Sequence, residues 1–255
     1  MDSEYVNSRL SGIQTMWTLV RKAHQGQPEV VKPAQEQLLA RYGGAVKRYL
    51  RGLVRDADTA DDLFQEFAVR LIKGDLHNAD PQRGKFRNYV KGVLFHLVAD
   101  FHQRKKRQPV GMGDNTPEPA ISEPSHAELD AEFLHNWRDD LLARSWLKLE
   151  GAERQSGKPF YTVLRFRSQN PELTSDQLAA QLSVKLGKPL TAAGVRQTLH
   201  RARERFSEIV LDEVVHSLDN PTPRQLEEEL IDLGLMKYCK PALERRHPGE
   251  IEADE

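Results

Sequence analysis

The chain has 255 residues, enough for one large domain or two small ones. Its 37 Lys and Arg nearly cancel its 38 Asp and Glu, and its single cysteine, Cys239, excludes an intramolecular disulfide framework and a multi-cysteine zinc site. No apolar run approaches the roughly 20 residues of a membrane span, and residues 1–10 lack a signal-peptide pattern. We therefore expect a cytoplasmic protein with no membrane partner.

Apolar residues at three- and four-residue spacing predict a bundle of three or four helices over residues 36–107, after a helical lead-in over residues 1–35. Asp58 and Thr59 stand where an N-cap is expected, and residues 80–84 predict a turn. The predicted core stripes are Leu38, Tyr42, Val46, Tyr49, Leu50 and Leu53; Ala60, Leu63, Phe64, Phe67, Leu71 and Ile72; and Phe86, Val90, Val93, Leu94, Leu97, Val98 and Phe101.

Residues 108–127 interrupt this pattern. They contain four prolines and three acids but no Lys or Arg. Proline removes backbone hydrogen-bond donors, and the segment has almost nothing to bury. We expect a flexible linker, and hence an all-α protein of two helical domains joined by a Pro-rich linker.

The second domain is predicted over residues 128–212. One long helix over 128–153 and a short helix over 160–167 lead to two helices separated by a tight turn. Thr174 begins a capping sequence, Gly187 supplies a stop, and Thr191 caps the last helix. Two helices joined in this way, the second rich in arginine, predict a helix-turn-helix. Residues 213–255 form an acidic extension with a short helix predicted over 223–236.

The near-zero net charge hides an uneven distribution. Residues 85–107 carry a net charge of +6 and residues 196–205 of +3, whereas residues 212–255 carry −7. Two basic segments are therefore balanced by an acidic end, which we expect to suppress DNA binding by the free protein.

Three segments carry residues suited to binding. In the first, Asp62, Gln65 and Glu66 share one helix face at i, i+3 and i+4, which suits a basic partner or an ordinary solvated surface. A carboxylate metal site is disfavoured because no histidine joins these acids at helical spacing. The second, residues 85–107, interleaves bases and aromatic rings as nucleic-acid surfaces do, although the rings also suit a core and the terminal bases a helix dipole. The third, residues 191–206, suits either a recognition helix or a solvated arginine-rich helix.

In this order the three segments resemble a bacterial RNA polymerase sigma factor of the extracytoplasmic-function group of the sigma-70 superfamily. The resemblance covers roughly residues 36–107, similar to sigma region 2, and 128–212, similar to region 4. It is carried by the opening helix at Leu39–Leu53, ADDLFQEF at 60–67, DPQRGKFRNYV at 80–90 and VRQTLHRARERF at 195–206.

The resemblance implies a non-catalytic specificity subunit without cofactor or metal. It would bind core RNA polymerase, recognise the −35 and −10 promoter elements, help melt the −10 region and serve a stress- or signal-responsive gene set. A flipped −10 base is expected near the 75–87 loop. The implied residues are, for polymerase, Asp61, Asp62, Gln65 and Glu66; for the single-stranded −10 element, Lys85, Arg87, Asn88, Tyr89, Lys91, His96, Gln103, Arg104, Lys105, Lys106 and Arg107; and for the duplex −35 element, Thr191, Arg196, Gln197, His200, Arg201, Arg203 and Arg205.

The chain departs from the family pattern in several places. Tyr89 stands where members often carry tryptophan, Phe95-His96 where they often carry Arg-Asn, and residues 183–189 lengthen the helix-turn-helix. The role of residues 213–255, and whether an anti-sigma protein or another regulator binds, stay open. The alternatives are a conventional helix-turn-helix regulator that does not need core polymerase, a metal-dependent enzyme acting on nucleic acid, and a regulator-binding protein without promoter function.

Overall fold

The computed structural model describes residues 16–25, 27–73, 85–107, 126–218 and 221–248. Within these ranges the secondary structure consists of ten helices. These ranges contain no strand, so the prediction of an all-α fold is confirmed. None of these helices has the length and apolar character needed to cross a membrane. The helices are α1 Met16–His24, α2 Pro28–Val54, α3 Ala57–Lys73, α4 Phe86–Arg107, α5 His126–Ser156, α6 Phe160–Gln169, α7 Ser175–Leu186, α8 Ala192–Ser217, α9 Pro223–Asp232 and α10 Met236–Arg246.

The chain divides into two compact units, and the division falls inside α5. The first unit runs to Asp140 and includes His216–Asn220, whereas the second contains Leu141–Val215 and Pro221–Glu255. The sequence placed this division in the linker. Residues 108–125 of that predicted linker lie outside the described residues.

The core of the first unit contains an aromatic cluster from α2, α4 and α5. Tyr42 stacks on Trp137 with ring centroids 4.6 Å apart, and its edge meets Phe86 at 5.4 Å. Tyr49 meets Phe133 at 5.1 Å. All five side chains are buried, and such ring pairs add about 0.5–1.5 kcal/mol each beyond the burial of their area. The first half of α5 groups with this unit because it supplies two of the five rings.

The start of α3 lies slightly earlier than the sequence predicted. The Asp56 carboxylate accepts a hydrogen bond from the backbone N–H of Thr59 at 2.8 Å, so the cap is Asp56 rather than Asp58 or Thr59. The hydrogen bond also lowers the pKa of this exposed carboxyl. At the other end of the helix, Ile72 was expected in the core stripe but is 52% exposed, and Leu71 is the buried residue of this last turn.

In the second unit, α7 and α8 form the predicted helix-turn-helix around a core of α5, α6, α7 and α8 side chains. Thr174 and Gln177 form a capping box at the start of α7. Gly187 ends α7 at φ +62°, in the left-handed region that favours glycine. Thr191 accepts a hydrogen bond from the Gly194 N–H at 3.1 Å and so caps α8. The inserted residues extend α7 as far as Leu186, and the Ser183 hydroxyl fixes the turn by accepting from the Leu190 N–H at 2.8 Å.

The residues after 212 are not a detached acidic arm where the structure describes them. Glu213 lies inside α8, is 1% exposed, and accepts from Arg144 at 2.9 Å and Lys148 at 2.6 Å. The predicted helix at 223 is present as α9, with a Thr222–Gln225 capping box. The sequence did not predict α10, which buries Cys239 and Leu243.

Two arginines of α10 hold a row of acids on α8. Arg246 lies 2.7 Å from Glu208 and 2.8 Å from Asp212. Arg245 lies 3.0 Å from Glu208 and 3.5 Å from Glu204. We call these five residues the arginine clamp. Of the three acids, only Asp212 belongs to residues 212–255, so the clamp joins two bases of that segment mainly to Glu204 and Glu208 of α8.

Candidate nucleic-acid and polymerase interfaces

The first candidate surface is the α3 acidic face, which comprises Asp61, Asp62, Gln65 and Glu66. Asp61 is only partly exposed, and its carboxylate lies 3.0 Å from Lys47 and 3.4 Å from Arg51 of α2. The hydrogen bond from Lys47, together with the charges of both cations, lowers the pKa of Asp61. This acid therefore already has partners within its own unit.

Glu66 is held in the same way from the other side. Its carboxylate accepts from Arg70, one turn along α3, at 2.7 Å and from Arg104 of α4 at 2.9 Å. Partial burial alone would raise the pKa of Glu66, but the hydrogen bonds from Arg104 and Arg70 outweigh it and lower the pKa. Arg70 also lies 3.4 Å from Asp100, so α3 and α4 share a small ion-pair network.

Asp62 and Gln65 differ from these two residues. Both are exposed, and neither takes part in a hydrogen bond or ion pair within the described ranges. They lie one turn apart on α3, opposite the buried Leu63 and Phe67. Asp62 and Gln65 thus form an open centre of the acidic face. The acids on either side, Asp61 and Glu66, form ion pairs with cations of the same unit.

The second candidate surface follows α4. Asn88, His96, Gln103, Lys105 and Arg107 are exposed, and Lys91 is partly exposed with its ammonium 2.9 Å from Asp130 of α5. Arg104 is exposed but bound to Glu66. Burial raises the pKa of the half-buried Tyr89 hydroxyl. The side chain of Lys106 and the predicted turn at 80–84, with most of the 75–87 loop, lie outside the described residues.

One residue of this set does not lie where the sequence analysis placed it. Arg87 was expected on the exposed side of α4 but is only 6% exposed. It stands three residues before Val90 and seven before Leu94, both buried, so the 3.6-residue repeat turns it toward the core. Its guanidinium lies at 3.5 Å from the Asn88 side-chain oxygen.

Phe95 was missed as a candidate and is 42% exposed. It lies four residues after Lys91 and seven after Asn88, on the polar side of α4, and its ring meets His96 at 5.9 Å. An exposed ring beside basic residues suits stacking on an unpaired base. The spacing alone was enough to find it, because Phe95 falls outside the stripe of Val90, Leu94 and Leu97.

The third candidate surface is the start of α8. Thr191, Arg196, Gln197, His200 and Arg201 are exposed around the first two turns, where a recognition helix contacts base edges. His200 lies 3.7 Å from Glu204. Arg203 and Arg205, one turn further on, are exposed as well. We call these seven residues the α8 recognition face.

The arginines of this face have no ion-pair partner among the residues that the structure describes. Val195, Leu199 and Ala202 hold the opposite side of α8 in the core. The face therefore projects its cations into solvent from a rigid helix, an arrangement that can contact both base edges and phosphates.

Comparison with known proteins adds one finding. Residues 38–108 match the family model of sigma-70 region 2. The matched segment is 71 of the 255 residues, and it indicates a region 2-like segment of the sigma-70 type. Segments of this type support binding to RNA polymerase and promoter melting. No curated protein and no solved structure matches the chain.

Region 2 unites two of the three candidate surfaces. The matched segment contains all of the α3 acidic face and all of α4. It also contains Lys47, Arg51, Arg70 and Arg104, the cations that the sequence analysis did not connect with the acidic face. The i, i+4 spacing of Glu66 and Arg70 was a sequence signal for that pair. Lys47, Arg51 and Arg104 reach the acidic face only because α2, α3 and α4 meet in space.

Proposed function

We propose that this protein is a promoter-specificity subunit of the extracytoplasmic-function type, which binds core RNA polymerase and directs initiation at the promoters of a stress- or signal-responsive gene set. The observation that carries the proposal is the match to sigma-70 region 2 over the segment that holds both the α3 acidic face and α4. A protein that acts with bacterial RNA polymerase works in the cytoplasm.

The α3 acidic face is the proposed polymerase contact. Its open centre, Asp62 and Gln65, would meet a basic surface directly. Asp61 and Glu66 would exchange cations of the chain for cations of the partner. Such an exchange costs little because exposed ion pairs contribute only about 0.2–1 kcal/mol each.

The exposed side of α4 is the proposed contact for the single-stranded −10 element. Lys91, Lys105 and Arg107 would neutralise phosphates, while Phe95 and His96 present rings on which unpaired bases can stack. Arg87 would act from within the core, by holding Asn88 in place rather than by meeting DNA.

The α8 recognition face is the proposed contact for the duplex −35 element. The positions of Arg196, Gln197 and His200 in the first turns of α8 suit contacts with base edges in the major groove. Arg201, Arg203 and Arg205 lie further along and suit phosphates. A factor of this kind needs duplex recognition and single-strand capture in one chain, and the two units supply one surface for each.

Core binding is tested by charge reversal on the acidic face. We expect the double variant Asp62→Lys, Glu66→Lys to lose measurable affinity for purified core polymerase in a fluorescence anisotropy titration, because like charges then face each other at the contact. Its circular dichroism spectrum should stay helical. The matched control is Glu36→Lys, an exposed acid of α2 outside the proposed contact, which should bind as the unmodified protein does.

Unchanged affinity of the double variant would exclude this face as the polymerase contact. If the unmodified protein showed no affinity for core polymerase while it bound duplex DNA in sequence-specific fashion, a conventional helix-turn-helix regulator would be the correct function instead.

A further inference from the structure

The second unit contains a cavity whose lining residues include only Arg203 from the proposed DNA contacts. It lies among α5, α6, α8 and the start of α10, and its volume is about 620 Å³. This is within the range of roughly 300–1,000 Å³ typical of small-molecule sites. Most of its wall is apolar: Leu142, Trp146, Leu164, Phe206, Val210 and Leu235.

Aromatic rings and a buried thiol form part of the cavity wall. The Trp146 and Phe206 rings lie 4.5 Å apart, and the guanidinium of Arg165 lies 5.2 Å from the Trp146 ring. Cys239 is fully buried. Burial raises the pKa of its thiol to about 12, so at neutral pH the thiol is an uncharged part of the wall.

The helix α10 completes the cavity. The Ser207 hydroxyl of α8 donates to the backbone carbonyl of Tyr238 at 2.9 Å, which fixes the start of α10 beside α8. Tyr238 itself is 65% exposed although it lines the cavity, so its ring stands at the opening. Without the residues after 218, this side of the cavity would be absent.

Three cations from three different helices also line the cavity. They are Arg167 of α6, Arg203 of α8 and Lys237 of α10, and no acidic side chain lies among the lining residues. Arg167 is held by donating to the Leu173 carbonyl. Arg203 and Lys237 are exposed and have no ion-pair partner in the described part of the chain.

We propose that this cavity binds an amphipathic organic anion, with an apolar body such as a medium-length fatty chain against Trp146 and Phe206. Its carboxylate lies at the opening beside Arg203 and Lys237. Burial of the chain supplies most of the affinity, because transfer of methylene groups from water to an apolar cavity is favourable. The cations select an acid over a neutral molecule, because a hydrogen bond to a charged group is stronger than a neutral one.

The test is isothermal titration calorimetry of the full chain with decanoate. Decanoate should bind saturably at one site per chain. Acetate, which has the same head group without the chain, should not bind below about 1 mM, the concentration at which the binding free energy is only about −4 kcal/mol. Absence of saturable decanoate binding, or equal binding of acetate, would overturn the proposal.

Two test variants, Ser168→Phe for the apolar wall and Lys237→Glu for the head group, locate the site, and each has a control. Ser168→Phe places a ring in the cavity from α6 and should abolish decanoate binding, whereas Ser156→Phe should not. The two serines are matched because each is exposed and donates to a carbonyl of its own helix. Decanoate binding that survives Ser168→Phe unchanged places the ligand elsewhere and contradicts the proposal.

The second variant tests the head group without altering the apolar wall. Lys237→Glu should weaken decanoate binding roughly tenfold or more, as expected for the loss of a charge-assisted contact. The matched control is Lys158→Glu, an exposed lysine of the same unit away from the cavity, which should change the affinity less than twofold. Equal weakening by both variants would mean that decanoate is attracted by net charge alone, and the site would be wrong.

Discussion

The α3 acidic face and the α8 recognition face differ in whether their charged side chains already form ion pairs within their own unit. On α3, Asp61 and Glu66 are held by Lys47, Arg70 and Arg104 of the same unit. On α8, the arginines of the recognition face have no ion-pair partner among the described residues. In the proposed contacts, a polymerase would displace internal cations from Asp61 and Glu66, whereas DNA would meet arginines that have no such partner among the described residues.

The arginine clamp explains how α8 keeps its cations open. The helix carries acids at positions 204, 208 and 212, close enough to compete for Arg201 and Arg205. Arg245 and Arg246 of α10 bind these acids instead. The clamp pairs would leave Arg201 and Arg205 available for the proposed DNA contact, whereas shielding by the −7 charge stays a prediction.

Of the changes proposed to these surfaces, removal of the proposed base contacts should have the largest effect on free energy. The double variant Arg196→Ala, Gln197→Ala should lose about 3 kcal/mol of discrimination between −35 sequences, since each good base contact contributes about 1–3 kcal/mol. Selection of bound sequences from a random duplex library measures the change.

Arg205→Ala is the matched comparison on the same helix. As a proposed phosphate contact it should weaken binding to all sequences by a similar factor and reduce the salt dependence, with preference unchanged. Uniform loss in the Arg196→Ala, Gln197→Ala variant would instead place those residues on the phosphates.

Disruption of the clamp should have the next largest effect. Arg246→Ala removes a partly buried guanidinium that contacts the Glu208 carboxylate twice, the Glu208 backbone carbonyl once and Asp212 once. We expect a loss of about 2 kcal/mol in the free energy of unfolding, since hydrogen bonds between charged groups contribute about 1.5–3 kcal/mol. Urea denaturation followed by circular dichroism measures it.

Arg224→Ala is the control for the clamp. Arg224 is highly exposed and pairs only with Glu228 one turn away on α9, so its loss should cost less than about 0.5 kcal/mol. Equal destabilisation by both variants would show that the clamp does not hold α10 to α8.

Neutralisation of Glu66 should have the smallest effect, and one that depends on pH. The pKa of Glu66 is lowered in the folded chain, so its ion pairs stabilise the fold above the ordinary value of 4.5 and lose their effect as the pH falls through the lowered pKa. Glu66→Gln should cost about 0.5 kcal/mol at pH 7. The cost should vanish in acid.

Glu36→Gln is the control, because Glu36 is exposed and has no ion pair in the described ranges. It should show no such dependence on pH. A cost for Glu66→Gln that is the same at pH 7 and in acid would contradict the role of Arg70 and Arg104 as charge partners.

Features set by neighbouring residues were predictable from the sequence. Thr174, Gly187 and Thr191 mark helix ends by their own backbone preferences and hydrogen bonds, and all three hold these positions in the structure. The buried stripes of α2 and α4 follow from helical spacing in the same way. Arg87 was misplaced because its residue type was weighed above its position in that spacing.

Features that join distant residues were not predictable. The cavity needs side chains from Leu142 to Cys239, and the clamp pairs Glu208 with Arg246. The helix α10 was missed because Pro241 lies inside it and its apolar residues are few. This helix is stabilised by the burial of Cys239 and Leu243. That burial depends on residues far away in the sequence, so no local sequence pattern predicts it.

The most direct test of the proposed function is transcription of bacterial genomic DNA by purified core polymerase with and without this protein, followed by mapping of the 5′ ends. A set of start sites that depends on the protein, shares −10 and −35 sequences, and disappears with the Asp62→Lys, Glu66→Lys variant is the predicted result. Absence of any start site that depends on the protein, under conditions in which it binds core polymerase, would contradict the account.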